Sequence, residues 1–418
     1  MIRTRFVTSA GISGSTILLA TVALSIAGFP VDAAKPPAQK PAYTVLHKFT
    51  GGEDGAHPDA ALVADTEGDL YGTTCYGGAF DWGVVFKLDS SGRETVLHSF
   101  AGGDGMWPKG PVVLDTDGNL YGTTSQGGTP ENGNSYFGCG TVFEIDTGGK
   151  YSVLYAFTGG TDGAYPTSSL LVDEAGSVYG TVSQGGRDCI PYGCGLVFKL
   201  DKFGKRTVLH TFTNGDDGAF PSSGLVWGAA GDLFGTTQEG GTGGYGTVYK
   251  LDSAGVESVL YNFTGGTDGG EPAGTLVRDE AGNFYGKTVI GGNLSKCDYA
   301  QKGCGNIFKV DSSGGETVLY DFFNAPFEDA GGLLRDQAGN LYGTSSECCD
   351  GVLFKLTPNG TVHYLHLFLT ETGSIPQAGV VMDKAGNLYG TTYEGGLPDK
   401  CKEGDSYGCG VVYKRSLE

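Results

Sequence analysis

From residue 43 onward, apolar residues come in short runs bounded by Gly, Asp and Pro, and no helical periodicity interrupts them. In the first complete unit, residues 61–64, 70–74, 84–88 and 95–100 carry a β-type pattern. Asp65-Thr66-Glu67-Gly68 and Asp89-Ser90-Ser91-Gly92 lie between them as tight turns, with Gly supplying the positive φ. The unit then returns as V-L-[HY]-x-F, G-G-x-D-G-x-x-P, L-V-x-D-x-x-G-N-L-Y-G-T-T, G-G and G-x-V-F-K-L-D. Its seven passes start at Thr44, Thr95, Ser152, Thr207, Ser258, Thr317 and Thr361. A period of roughly 50 residues signals a solenoid, a propeller or an array.

Four short strands in tandem fit a propeller blade. The phase of the repeat separates this from an open solenoid. The repeats open on a fourth-strand sequence, Tyr43-Thr44-Val45-Leu46-His47-Lys48-Phe49, and close on a third-strand sequence, Gly410-Val411-Val412-Tyr413-Lys414. Pairing the two closes a ring and removes two exposed sheet edges. A solenoid needs capping repeats and gains nothing from such an offset. The expected fold is therefore all-β: a seven-bladed β-propeller of four-stranded blades, its ring closed by the N-terminal strand completing the last blade.

Ahead of the repeats, Arg3 and Arg5, an apolar stretch from Ile17 to Phe29 and the small residues Val31-Asp32-Ala33 predict a signal peptide over residues 1–33. The apolar stretch is short for a membrane span. Residues 34–42, rich in Pro and Lys, read as a linker, and 43–418 as the propeller. The mature protein is expected to be exported, without a membrane span, and monomeric. A net charge of −20 argues against nucleic acid as a partner and suits solubility, cations or a basic partner.

Ten cysteines in an exported chain predict disulfides. Three variable loops carry pairs, Cys189/Cys194, Cys297/Cys304 and Cys401/Cys409, the second Cys always in G-C-G ahead of the third strand. A local bridge there stabilises by roughly 2–3 kcal/mol through loop closure. Cys139 occupies the same slot without a local partner, and Cys75 on the neighbouring blade is its expected mate. The adjacent Cys348 and Cys349 form either a vicinal disulfide or bridges to other loops. Metal binding by cysteine is not indicated, because spaced His partners are missing.

The G-N-L-Y-G-T segments at 118–123, 339–344 and 386–391, followed by G-G and G-x-V-F-K-L, resemble the GloVer repeat of secreted Gloeobacter and Verrucomicrobia β-propeller proteins. The resemblance covers nearly all of residues 43–418 and implies the fold and export, but no particular activity. Members of that family carry various cell-surface anchors, and no anchor motif is visible here. The D-x-x-G-N-L-Y core is also similar to NHL and virginiamycin-lyase propellers. The latter resemblance implies a His with Mg²⁺, and only His57 here reaches the expected face.

In a four-stranded blade, connections between strands two and three share one face with the connections between blades. Here that face carries the length variation, and loops on a rigid scaffold are the usual place for binding. The residue before the inter-blade proline is His57, Trp107, Tyr165 and Phe220 in four consecutive blades, then Glu271 and Ile375. Such aromatics either stack on sugar rings or pack between blades. A second ring, just before the G-G after strand two, reads Tyr76, Gln126, Gln184, Glu239, Ile290, Glu347 and Glu394. Its members are either solvated or hydrogen-bonded to a polyol or a cation. Lys287 replaces the first Thr of G-T-T in the fifth blade and either binds an anionic group or, the favoured reading, pairs with Glu239.

Asp54, Asp104, Asp162, Asp217 and Asp268 each precede Gly in the inter-blade turn. Capping of the turn is the favoured role; a ring of carboxylates holding Ca²⁺ is the alternative, and no other cofactor is expected. His47, His98, His210 and His366 recur at one outer-strand position and read as architecture. No G-x-S-x-G, H-E-x-x-H or Walker-type loop is present. The sequence thus points first to an exported binding or interaction module for a carbohydrate or cell-surface ligand. The alternatives are a lyase or glycosidase with carboxylate or metal-assisted chemistry, such as a Glu239–Glu394 pair, and a structural surface or matrix protein.

Overall fold

The computed structural model describes residues 42–417 apart from 129–136, 187–192, 298–301, 324–330, 346–349, 398–400 and 402–406. The expected signal peptide and nearly all of the linker lie outside the described residues, as do Cys189, Glu347, Cys348 and Cys349.

Among the described residues, 28 short strands form seven separate four-stranded antiparallel sheets. Blade one runs outward from the axis through Val63–Ala64, Leu70–Thr74, Val84–Leu88 and Glu94–Ser99. Blades two to six repeat that order. Blade seven takes Val381–Met382, Leu388–Thr392 and Val411–Arg415 from the end of the chain and Tyr43–Lys48 from its beginning. The closing strands pair antiparallel from Tyr43↔Arg415 to Lys48↔Val411. Tyr43 seals the seam: its ring stacks on His366 at 3.6 Å, and its hydroxyl donates to the Thr372 carbonyl at 2.8 Å.

Each word of the repeat has a mechanical reason. The Gly of G-T-T stands opposite the aromatic of the third strand, as in Gly72↔Phe86 and Gly286↔Phe308. A Cβ on Gly72 would lie 2.7 Å from the Phe86 ring, so only Gly fits. The Phe closing each outer strand then meets the third-strand aromatic of the next blade edge to face. Phe49–Phe86, Phe100–Phe143, Phe212–Tyr249 and Phe368–Tyr413 lie 5.1–5.5 Å apart. Such a pair adds ~0.5–1.5 kcal/mol beyond its buried area. The core therefore sits between blades. In one cluster Val85 and Phe100 of blade one pack with Val112, Leu120 and Phe143 of blade two.

Polar ties follow the same logic. The first Thr of G-T-T donates to a carbonyl just ahead of the innermost strand of the next blade: Thr181 to Ser223 at 3.0 Å, Thr344 to Ala378 at 2.8 Å, Thr391 to Ala60 at 3.1 Å. On the opposite face, the Asp of D-x-x-G-N-L-Y accepts from its own turn and from the Tyr hydroxyl six residues on, as in Asp383 and Tyr389 at 2.9 Å. The words common to the seven repeats are thus absorbed by architecture.

Candidate functional site

The chain enters six of the blades through a residue-proline step with an unusual backbone. His57, Trp107, Tyr165, Phe220, Glu271 and Ile375 have φ between 52° and 58°. That left-handed region is costly for a bulky residue and more so for the β-branched Ile375. A residue before Pro also favours extended backbone. Two hydrogen bonds hold it. The N–H donates to the preceding blade, as His57 to the Cys409 carbonyl at 2.8 Å and Ile375 to that of Asp350 at 2.7 Å. The carbonyl accepts from the amide just after G-T-T in its own blade, as His57 from Cys75 and Ile375 from Tyr393. The proline then packs on the Gly before strand three of the preceding blade. A Cβ on Gly195 would lie 2.5 Å from both Pro221 Cδ and the Val182 carbonyl oxygen.

This geometry turns the pre-proline aromatics away from the axis. Tyr165 and Phe220 join the inter-blade core. His57 is buried, with Nδ1 2.9 Å from the Tyr393 carbonyl oxygen. Trp107 packs among Tyr76, Trp82 and Phe137 with ring centroids 5.6–6.3 Å away. None of the four is among the residues that line the central cavity, and their surroundings match the second of the two readings, packing between blades.

The residue after the proline points to the axis instead. Asp59, Lys109, Thr167, Ser222 and Gln377 form a collar between a narrow channel of about 320 Å³ and a wider mouth of about 650 Å³ on the loop-rich face. Blade five contributes only Ala273 and Gly274 there. Above the collar stand Cys75, Gln238, Val289 and Tyr393, the residues following G-T-T or its equivalent, with Tyr76, Glu239 and Glu271 at the rim. Sequence reasoning read the residue before the proline and missed the one after it. The usable signal was there: that position changes chemical type from blade to blade between an unchanging proline and a residue that is always small.

At the collar itself, the charged side chains among the described residues are Asp59 and Lys109, of blades one and two. Burial raises the Asp59 carboxyl above the usual range, while the Lys109 ammonium and the Cys75 thiol pull the other way. Cys75 Sγ lies 3.9 Å from Asp59 Oδ2. Burial and then the Asp59 charge push that thiol far up, so it stays protonated and is no nucleophile at neutral pH. Burial raises the Tyr393 hydroxyl too. Lys109 is exposed, and it is the only cationic side chain lining the mouth among the described residues.

The other expected residues disperse. Glu239 is exposed at the rim, whereas Glu394 does not line the mouth, so no Glu239–Glu394 pair faces a shared space. Gln126 and Gln184 ladder through their backbones with Met106 and Ala164, and Gln126 Oε1 is buried without a partner among the described residues. Lys287 is 3% exposed and donates to the Thr344 carbonyl of blade six at 3.3 Å. The pairing with Glu239 is not made, because the side chain takes the inter-blade route of the Thr it replaces. The turn aspartates cap as expected: Asp54 accepts from the Thr50 amide and hydroxyl, and Asp104 faces His98 at 2.8 Å.

Cys297–Cys304 and Cys401–Cys409 are disulfides, and Cys194 is disulfide-bonded. The expected Cys75–Cys139 bridge is absent; both are free and buried. Cys75 turns toward Asp59, while Cys139 packs in the core between blades two and three, so the two thiols face different neighbours. His57 lies within ligand distance of Cys401 and Cys409, but the disulfide leaves no thiolate for a metal.

Fold and site together define a closed seven-bladed propeller whose loop-rich face opens on an asymmetric polar collar. The repeat model of the Gloeobacter/Verrucomicrobia repeat matches residues 35–190 and 170–401, and the chain belongs to that family. A search of curated proteins found no match. Among solved structures, virginiamycin B lyase from Staphylococcus aureus is 13% identical, with a TM-score of 0.58 over 91% of this chain and 99% of its own. A gluconolactonase from Xanthomonas campestris is 14% identical, with a TM-score of 0.43 over 74% and 88%. A luciferin-regenerating enzyme is 14% identical, with a TM-score of 0.45 over 90% and 95%. At these identities the likeness concerns the fold alone.

Proposed function

We propose that this protein is an exported binding module that holds a short polyhydroxylated ligand, of carbohydrate type, in the mouth of the propeller. Its disulfides fit an oxidising compartment, and no helix among the described residues is long and apolar enough to cross a membrane.

The observation that carries the reading is unused hydrogen-bonding capacity. One residue deeper, Ser168 and Ser223 are tied to Thr181 and Thr236 at 2.8 and 2.7 Å. At the collar, Lys109, Thr167, Ser222 and Gln377 line the cavity without a side-chain hydrogen bond to the described residues. Donors and acceptors converging on a cavity of about 650 Å³ suit a sugar-sized molecule. Tyr76 and Tyr393 line the mouth beside them.

A glycan array, followed by calorimetry on the ligands it finds, tests this. The triple variant Thr167→Ala/Ser222→Ala/Gln377→Ala should keep its fold and lose at least tenfold in affinity, about 1.4 kcal/mol. Phe220→Ala should lower stability and leave the affinity of the folded fraction unchanged. Unaltered binding by the triple variant would remove the mouth from consideration.

A second reading, catalysis, rests on Asp59. A carboxyl held toward its neutral form beside an ammonium is equipped to donate a proton to a leaving group. Turnover of a bound glycan that disappears in Asp59→Asn while binding persists would support it.

A further inference from the structure

The collar is the ring in which this repeat protein stops repeating. Blades one and two contribute an acid and a base, blades three and four hydroxyls, blade five an Ala, and blade seven an amide. A symmetric scaffold carrying an asymmetric ring orients whatever it binds.

We propose that the ligand carries an anionic group, a sugar carboxylate, and that Lys109 seats it. The proposal rests on the reading that the mouth binds a carbohydrate, and it specifies the class: an acidic, uronate-bearing glycan.

Three observations support the assignment. First, the Lys109 backbone is fixed while its head is not. Pro108 is locked against blade one, where a Cβ on Gly83 would lie 2.8 Å from Pro108 Cδ. Trp107 is held by its N–H to the Trp82 carbonyl at 3.0 Å and by its own carbonyl to the Ser125 amide at 3.0 Å. The side chain beyond is exposed to the mouth and makes no ion pair with a described residue. Second, the acid that shares the collar is engaged elsewhere. Asp59 accepts from the Cys75 thiol, and burial raises its carboxyl even though the Lys109 ammonium pulls it down. An ammonium set in a concave mouth beside neutral hydrogen-bonding groups adds a charge attraction that a neutral ligand does not feel.

Third, the groups around Lys109 match the rest of such a ligand. Thr167 and Ser222 continue around the collar, with Gln238 above them, as donors and acceptors for sugar hydroxyls, and Ala273 and Gly274 leave space on the blade-five side. Glu239 and Glu271 stand at the rim across from Lys109. They disfavour a second carboxylate there, which makes the site selective for one acidic residue and for its orientation.

The test uses the folded protein, a panel of short uronic-acid oligosaccharides, and the same panel with carboxylates reduced to alcohols. Calorimetry should give at least tenfold tighter binding for an acidic member than for its reduced counterpart. Raising salt from about 50 to about 500 mM should erase most of that margin. Lys109→Gln should bring the acidic ligand down to the level of the reduced one, and Lys109→Arg should restore most of the preference. Equal binding of both panels by the wild type overturns the anion assignment and leaves sugar binding standing. Binding of neither panel overturns both. An acidic preference that survives Lys109→Gln in a folded variant places the anion elsewhere and also overturns the assignment.

Discussion

Replacing Glu94, Glu257 and Glu316 together with Gln should stabilise the propeller above neutral pH and flatten its pH dependence. These residues open the outermost strands of blades one, four and five, and each has an Oε1 buried without a hydrogen-bond partner among the described residues. Burial, and then the carboxylates of Asp54, Asp217 and Asp268, push all three up to about 7; near Glu94 the His47 charge works the other way. Blade three is a natural control, since Arg206 holds the same position there and pairs with Asp162 at 2.9 Å. Between about pH 4.5 and 7 the folded protein keeps protons that the unfolded chain has released. Stability therefore falls as pH rises through that window and levels off above it. At ~1.36 kcal/mol per pK unit the ceiling is about 3 kcal/mol per group. The carboxyls are only partly buried, and solvent screening reduces this to on the order of 1 kcal/mol each. His98 and His210, held down by burial, titrate nearby with the opposite sign, but they are common to both proteins. Urea unfolding from pH 5 to pH 8 should show the variant gaining on the wild type by roughly 2–3 kcal/mol. A gap that does not change with pH refutes the idea that these carboxyls are neutral in the fold.

Other consequences follow from the blade contacts. Gly195→Ala puts a Cβ at φ 86° and within 2.5 Å of Pro221, so thermal melting should fall by the equivalent of roughly 2–4 kcal/mol; an unshifted melt would mean that the glycine–proline contact is slack. A chain starting at residue 42 should melt like the full chain, whereas one starting at 49 loses the strand paired with Val411–Arg415 and should aggregate or unfold. Alkylation read by mass spectrometry should label Cys75 and Cys139 only after denaturation; labelling in the native state would contradict their burial.

The ring was readable because its causes are local and repeated. Turn glycines, alternating strands and the offset between Tyr43 and Tyr413 each leave a mark on the sequence, and together they fix blade number and closure. The capping role of Asp54 and its equivalents was readable for the same reason. The site was harder, because it depends on which way a side chain turns. In a residue-proline pair, the left-handed φ at His57 or Trp107 sends one side chain into the blade contact and the next to the axis, and spacing does not reveal that φ. Lys287 misled in a related way. Its long stem lets a substituted Thr keep the inter-blade tie, so a break in the pattern became a variant of the scaffold. The Cys75–Cys139 pairing failed because two loop cysteines on neighbouring blades need not bring their thiols together.

The central claim, that the ligand site is the collar on the loop-rich face, is tested most directly by hydrogen exchange with and without a saturating glycan. Added protection is expected in the peptides around Asp59, Lys109, Thr167, Ser222 and Gln377, and none in the D-x-x-G turns on the opposite face. Protection confined to those turns or to the outermost strands, with the collar unchanged, would contradict it.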